Sequence, residues 1–189
     1  MKFLRCTVSA VLLSLSFVAF AQSDMHKPDK PAPSEAQKSF EQMKTFAGEW
    51  EGPVAVPEMP SMSGGNPLHV SLRVTSRGNA VVHELQEANT PLDPAKFDHP
   101  VTMLYVEGDK LNLIHYCDAG NRPHMVGTMS PDNKKVEFEL VDVSGGTKFG
   151  HMHHAVFTYI DADHHLEDWT YMMPGDKPIH AHFDLQRAK

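Results

Sequence analysis

The residues with the most chemistry in this chain are histidines spaced two apart in segments of strand character. They are His115-Tyr116-Cys117 and His151-Met152-His153-His154, with His124 between them. Side chains alternate faces along a strand, so His115 shares a face with Cys117, and His151 with His153. Two such strands, adjacent or facing each other across a lumen, would bring nitrogen and sulfur donors towards one point. A transition metal needs such donors within about 2.0–2.3 Å, and imidazole with thiolate suits zinc or copper. His115, Cys117, His151 and His153 are therefore the candidate metal ligands, although their spacing is not that of a zinc finger. The alternative is a set of hydrogen-bonded interior histidines with a packed cysteine.

Other groups extend this reading. Glu167, Trp169 and Tyr171 share a face of the segment 165–173, and Glu84 shares one with Ala80 and Val82. A carboxylate beside an inward histidine can serve as a general base; otherwise it is solvated or structural. Met59 and Met62 sit in a loop and Met172-Met173 at a strand end. Thioethers with histidines can bind copper, or fill apolar space. His154, His164 and His165 read as solvated residues near a turn. The sequence holds no serine nucleophile elbow, Walker loop, dinucleotide fingerprint or His-Glu-x-x-His motif.

Short strands must position these groups. Alternating segments at 49–56, 67–75, 79–88, 100–107, 110–117, 123–129, 135–143, 148–160, 165–173 and 178–187 are divided by turn signals such as Glu107-Gly108-Asp109 and Pro174-Gly175-Asp176. On 110–117 the face of Leu111, Leu113, His115 and Cys117 is the more apolar and points inward. On 148–160 both faces are partly apolar. If the face of Phe149, Ala155, Phe157 and Tyr159 is inward, His151 and His153 enter the interior with it. On 178–187 Ile179, Ala181, Phe183 and Leu185 alternate with His180 and His182, which face solvent. A helix is predicted over 35–47, with Ser34 as N-cap and Gly48 as the stop. The fold class is all-β: an antiparallel meander barrel of about ten strands, preceded by a short helix that plugs or flanks it. A barrel of this size leaves room for a cavity; a two-sheet sandwich is the alternative.

The ends and the composition bound the setting. Residues 1–21 read as a signal peptide, with Lys2 and Arg5 before an apolar stretch and Ala19-Phe20-Ala21 at the cleavage point, so the mature chain is expected to start at Gln22. Secretion to the periplasm or beyond is the expected location. An uncleaved anchor is the alternative, but the apolar run is short for a membrane span. Residues 22–33 read as a flexible linker, and 34–189 as a single domain. The formal net charge is −7 for the whole chain and falls to −9 once Lys2 and Arg5 leave. With no basic patch, nucleic acid is a poor partner. Cys117 is the one cysteine left after cleavage of a segment that carries Cys6, so no intramolecular disulfide can form.

The run Phe46-Ala47-Gly48-Glu49-Trp50-Glu51-Gly52 resembles the Gly-x-Trp signature of calycin barrels. It is most similar to that of the nitrobindin-like, lipocalin-like branch, Gly-x-Trp-x-Gly-x-Gly, whose last glycine is Val54 here, after Pro53. The resemblance implies that Trp50 closes one end of the barrel. In nitrobindins a histidine binds haem, but these motifs match no histidine of this chain to it. The run from Leu113 to Met125 and the segment Gly150-His151-Met152-His153 are similar to those of an uncharacterised family of secreted bacterial proteins.

Together these readings point to a secreted barrel with a small ligand in its lumen: an apolar molecule, haem or a metal ion. His115, Cys117, His151, His153, Trp169 and Tyr171 are expected to line the site. The alternatives are a metal-assisted enzyme using the same His/Cys cluster, and a structural or partner-binding envelope protein.

Overall fold

The computed structural model of the chain describes residues 32–189. The expected signal peptide at 1–21, and all but the last two residues of the linker at 22–33, lie outside them. The compact unit is Pro33–Lys189.

It begins with helix α1 (Glu35–Thr45), set by a capping box. Ser34 Oγ accepts from the backbone N–H of Gln37, and the Gln37 side chain accepts from the backbone N–H of Ser34. Together they satisfy two N–H groups that the helix itself leaves unpaired. Ala36, Ser39, Phe40 and Met43 form the buried face, which packs against β5 (Val101–Glu107), β6 (Lys110–Tyr116) and β7 (Arg122–Met129).

The remaining strands are β1 (Gly48–Gly52), β2 (Val54–Ala55), β3 (Leu68–Thr75), β4 (Ala80–Glu87), β8 (Lys135–Ser144), β9 (His151–Asp161), β10 (His164–Met173) and β11 (Lys177–Arg187). Each of β3 to β11 pairs antiparallel with the next, and β1 pairs with both β3 and β11. The result is a closed ten-stranded barrel, with β1 and β2 acting as one strand interrupted at Pro53. Closure removes the edges that an open sheet would expose. Gly52 permits the interruption: a Cβ there would lie 1.8 Å from the Asp184 carbonyl oxygen on β11. Strand positions and helix follow the sequence pattern closely, and the sandwich alternative is set aside.

The two ends of the barrel are filled differently. At the helix end Phe46 packs against Phe157, Tyr159 and His165, and Phe157 against Phe138. Trp50 is buried there, donating from Nε1 to the Phe46 carbonyl at 2.8 Å, and the Arg187 guanidinium covers its ring at 4.1 Å. Trp50 therefore plugs the barrel and takes no part in the cavity. The opposite end is hollow. Among the described residues, no helix is long and apolar enough to cross a membrane.

Candidate functional site

Strand β10 runs from the plugged end of the barrel to the hollow end. Its inward side chains are His165, Glu167, Trp169 and Tyr171, in that order. Glu167 is fully buried. Its carboxylate accepts from Trp169 Nε1 at 2.9 Å, His83 Nε2 at 3.0 Å and His165 Nε2 at 3.0 Å. Burial on its own would push this carboxyl up; the charges and hydrogen bonds of His83 and His165 outweigh it and hold the group well below the usual carboxylate range. A buried carboxylate is tolerated only when so paired.

An ionised carboxylate can only accept, so His83 and His165 each carry a proton on Nε2. That leaves His83 Nδ1 and His165 Nδ1 buried and without a protein partner. The two then diverge. His165 is walled in at the plugged end, edge-on to Trp50 at 4.2 Å. His83 lines the cavity at the hollow end.

His115 joins His83 there. In the strand register His83 pairs with Thr102, and Thr102 with His115, so the three form one inward row across β4, β5 and β6. His115 Nδ1 shares a 2.8 Å hydrogen bond with Thr102 Oγ1, and its Nε2 is buried without a partner. Burial, with the charge of His83 nearby, holds the His115 imidazole down at about 4. The ring is therefore neutral at neutral pH. His83 and His115 both pack on Trp169, with ring centroids 5.6 and 5.7 Å away.

The cavity has a volume of about 250 Å³. Apart from the two imidazoles its walls are almost wholly apolar, including Trp169, Tyr171, Met152 and Phe183. Met59 and Met62 reach it from the loop 57–66, and a second cavity of about 400 Å³ shares Val56, Met62, Leu85, Ala181 and Phe183 with it. The loop is tied down at both ends. Ser63 Oγ accepts from the Val56 N–H at 2.7 Å, and Glu58 takes the His180 ring at 2.6 Å and the His180 N–H at 3.1 Å. That contact holds the exposed Glu58 carboxyl below its usual range.

Of the side chains expected from sequence to line the site, the cavity collects His115, Trp169 and Tyr171 and leaves Cys117, His151 and His153 outside. Strand β6 ends at Tyr116, so Cys117 has left the ladder. It lies instead in a surface pocket with Asp98, His99 and Asp118, where burial pushes its thiol up.

On β9 the aromatic face is inward, as one reading of the alternation required. A β-bulge intervenes, however. His154 pairs with Thr170 but Met152 pairs with Tyr171, so His153 is the extra residue. A bulge reverses the facing of everything beyond it. Met152 therefore reaches the cavity, while His151 and His153 contact each other at 3.2 Å away from it. Gly150 lets the strand enter close to β10, at φ +95° and with Tyr171 ring atoms 2.6 Å from where a Cβ would stand.

The expected four-ligand set thus does not converge. Among the described residues, the one group of three or more His, Cys, Asp or Glu side chains with ligating atoms within 4.8 Å of one another is Glu137, Glu139 and His154 on the outer face. His180 and His182 are outward, paired with Glu58 and Asp168. Glu84 is exposed. His165, expected near solvent, is completely buried. Following Ala80, Val82 and Glu84 along strand 79–88 passes over the opposite face, Val81, His83 and Leu85, where the alternation already placed a histidine between two apolar neighbours.

No protein-family model matches this chain, and no curated protein matches it. Among solved structures, Rv2717c from M. tuberculosis is similar with a TM-score of 0.54 at 16% identity, covering 85% of this chain and 100% of that one. A protein of unknown function from the DUF3598 family of Nostoc punctiforme has a TM-score of 0.49 at 7% identity, covering 77% of this chain and 49% of that one. The likeness to Rv2717c is one of fold alone: this chain is a closed ten-stranded antiparallel β-barrel, plugged at one end and hollow at the other.

Proposed function

We propose that the protein is an exported, calycin-like barrel that holds a small, largely apolar organic molecule in the cavity beneath loop 57–66. One observation carries this reading. Two buried imidazoles, His83 and His115, line an otherwise apolar cavity, and each keeps a ring nitrogen that no protein group satisfies. An unpaired buried polar group costs about 1–3 kcal/mol, and a ligand with one or two polar atoms would recover it. An apolar cavity of about 150 Å³ accepts benzene. About 250 Å³ therefore suits one or two fused rings and favours such a molecule over a porphyrin.

2-Naphthol has this size and both a donor and an acceptor. Titration followed by its own fluorescence is expected to show one molecule bound per chain. The variant Ala181→Phe fills the space that both cavities share, and is expected to abolish binding without lowering the melting temperature. Undiminished binding in that variant would place the ligand elsewhere and remove the basis of this reading.

A second reading has its own support. Met59, Met62, Met152 and Met173 line the same cavity as the two imidazoles, a soft donor set that suits copper(I). Competition of copper(I) with 2-naphthol separates the two. Tight copper binding that displaces naphthol would favour the metal.

A further inference from the structure

We propose that His83 is a general base for enolisation of a small apolar ketone bound in this cavity, with His115 donating a hydrogen bond to the carbonyl oxygen. The inference rests on the lumenal binding reading above and adds a reaction to it.

The geometry has the parts that proton abstraction next to a carbonyl requires. Glu167 accepts the Nε2–H of His83 at 3.0 Å, which in the neutral ring fixes the tautomer and places the lone pair on Nδ1. A carboxylate behind an imidazole also stabilises the imidazolium that forms when the ring takes a proton. Glu167 is itself held by Trp169 and His165, so it positions His83 without touching the cavity. The His83 ring packs against Phe157 at 5.8 Å and Trp169 at 5.6 Å, which fixes its plane.

His115 is the complementary group. In the tautomer whose Nδ1 accepts from the Thr102 hydroxyl, Nε2 carries the ring proton. Burial keeps the ring neutral, and a neutral imidazole in a dry site suits the stabilisation of a developing oxyanion. Both rings line one cavity with their free nitrogens covered, so one bound molecule meets both by displacing the side chains that cover them.

The step balances within the bound molecule. His83 Nδ1 takes a proton from the carbon next to the carbonyl. The C–H electron pair becomes the C=C bond of the enolate. The carbonyl π pair moves onto oxygen, which accepts the hydrogen bond from His115 Nε2–H. The His83 imidazolium then returns its proton to the same carbon, or to the γ carbon of a β,γ-unsaturated ketone. No oxidant, reductant or second substrate is needed. The substrate class is a compact cyclic or aromatic ketone, and the net reaction is double-bond or stereochemical isomerisation.

The test uses 1-tetralone in D₂O with the whole chain. Proton NMR follows exchange of the two hydrogens on C2, and displacement of 2-naphthol measures binding in the same samples. Exchange is expected to run faster with the native protein than with Ala181→Phe. It should fall about 100-fold or more in His83→Gln, the scale of a lost general base, compared at tetralone concentrations that displace naphthol equally. In Glu167→Gln the amide oxygen keeps the place that accepts from both Trp169 Nε1 and His83 Nε2, so the tautomer stays but the His83 imidazolium loses its counter-charge. Exchange should fall there too, with a changed pH profile and retained binding. Bound tetralone that exchanges no faster than with Ala181→Phe overturns the inference and leaves the binding reading standing. That comparison does not depend on the folding of the His83 or Glu167 variants. Full exchange in a folded His83→Gln also overturns it. Failure of both tetralone and naphthol to bind removes the binding reading and this inference together.

Discussion

His115 carries a measurable cost of burial. Its imidazole titrates at about 4 in the folded chain against 6.5 for an unperturbed group, through burial and the neighbouring charge of His83. The unfolded chain therefore binds the extra proton first as pH falls. The protein loses stability from about pH 6.5 down to about 4, by roughly 3 kcal/mol from this group. Glu167 acts in the same direction but lower. Its carboxyl is depressed by its histidine partners, so its contribution is present above the unfolded value of 4.5 and lost as pH falls below it. Urea unfolding of native and His115→Gln protein between pH 7 and 5 separates the two groups. The variant is expected to show a flatter dependence in that window; an unchanged slope would contradict the buried, neutral ring. At this scale the chain was only partly legible. The inward facing of His115, Trp169 and Tyr171 follows from alternation alone. The convergence of His83 and His165 on Glu167 does not, because the carboxylate on β10 meets a histidine 84 positions away on β4.

Elements decide which histidines reach the cavity. Without the bulge at His153, the inward set Ala155, Phe157 and Tyr159 would continue through His153 and His151, and the expected ligand pairs would face the lumen. A bulge is a matter of hydrogen-bond register, and a period-two hydrophobic pattern with apolar residues on both faces carries no trace of it. The loop 57–66 is the second deciding element. Glycine and proline mark it as a loop, yet its hold on β11 comes from Glu58 and His180, which are 122 residues apart. This contact keeps Met59 and Met62 over the cavity. Replacing Glu58 by Ala is expected to raise both the association and the dissociation rate of 2-naphthol in stopped-flow measurements, with little change in melting temperature. Unchanged rates would show that the ligand does not pass beneath this loop.

At the scale of the whole molecule, the ten strand positions and the capped helix were readable from turn residues and alternation. Closure follows from the need to protect edges, and it is realised by the pairing of β1 with β11. That Trp50 closes one end is what the resemblance implies; which aromatic side chains fill that end, and which end stays hollow, is not readable, since it depends on what meets across the lumen. Export belongs to this scale as well. Basic, apolar and small-residue segments in order across 1–21 predict that protein expressed with its full N-terminus is recovered from the periplasm starting at Gln22. N-terminal sequencing checks this, and a retained Met1 in the cytoplasm would oppose it. The central claim is that a small molecule occupies the hollow end against His83 and His115. ¹⁵N-histidine NMR tests it most directly. Saturating 2-naphthol is predicted to shift the ring nitrogens of His83 and His115, while those of the outward His69, His180 and His182 stay in place. Unmoved His83 and His115 signals, or shifts confined to the outward rings, would contradict it.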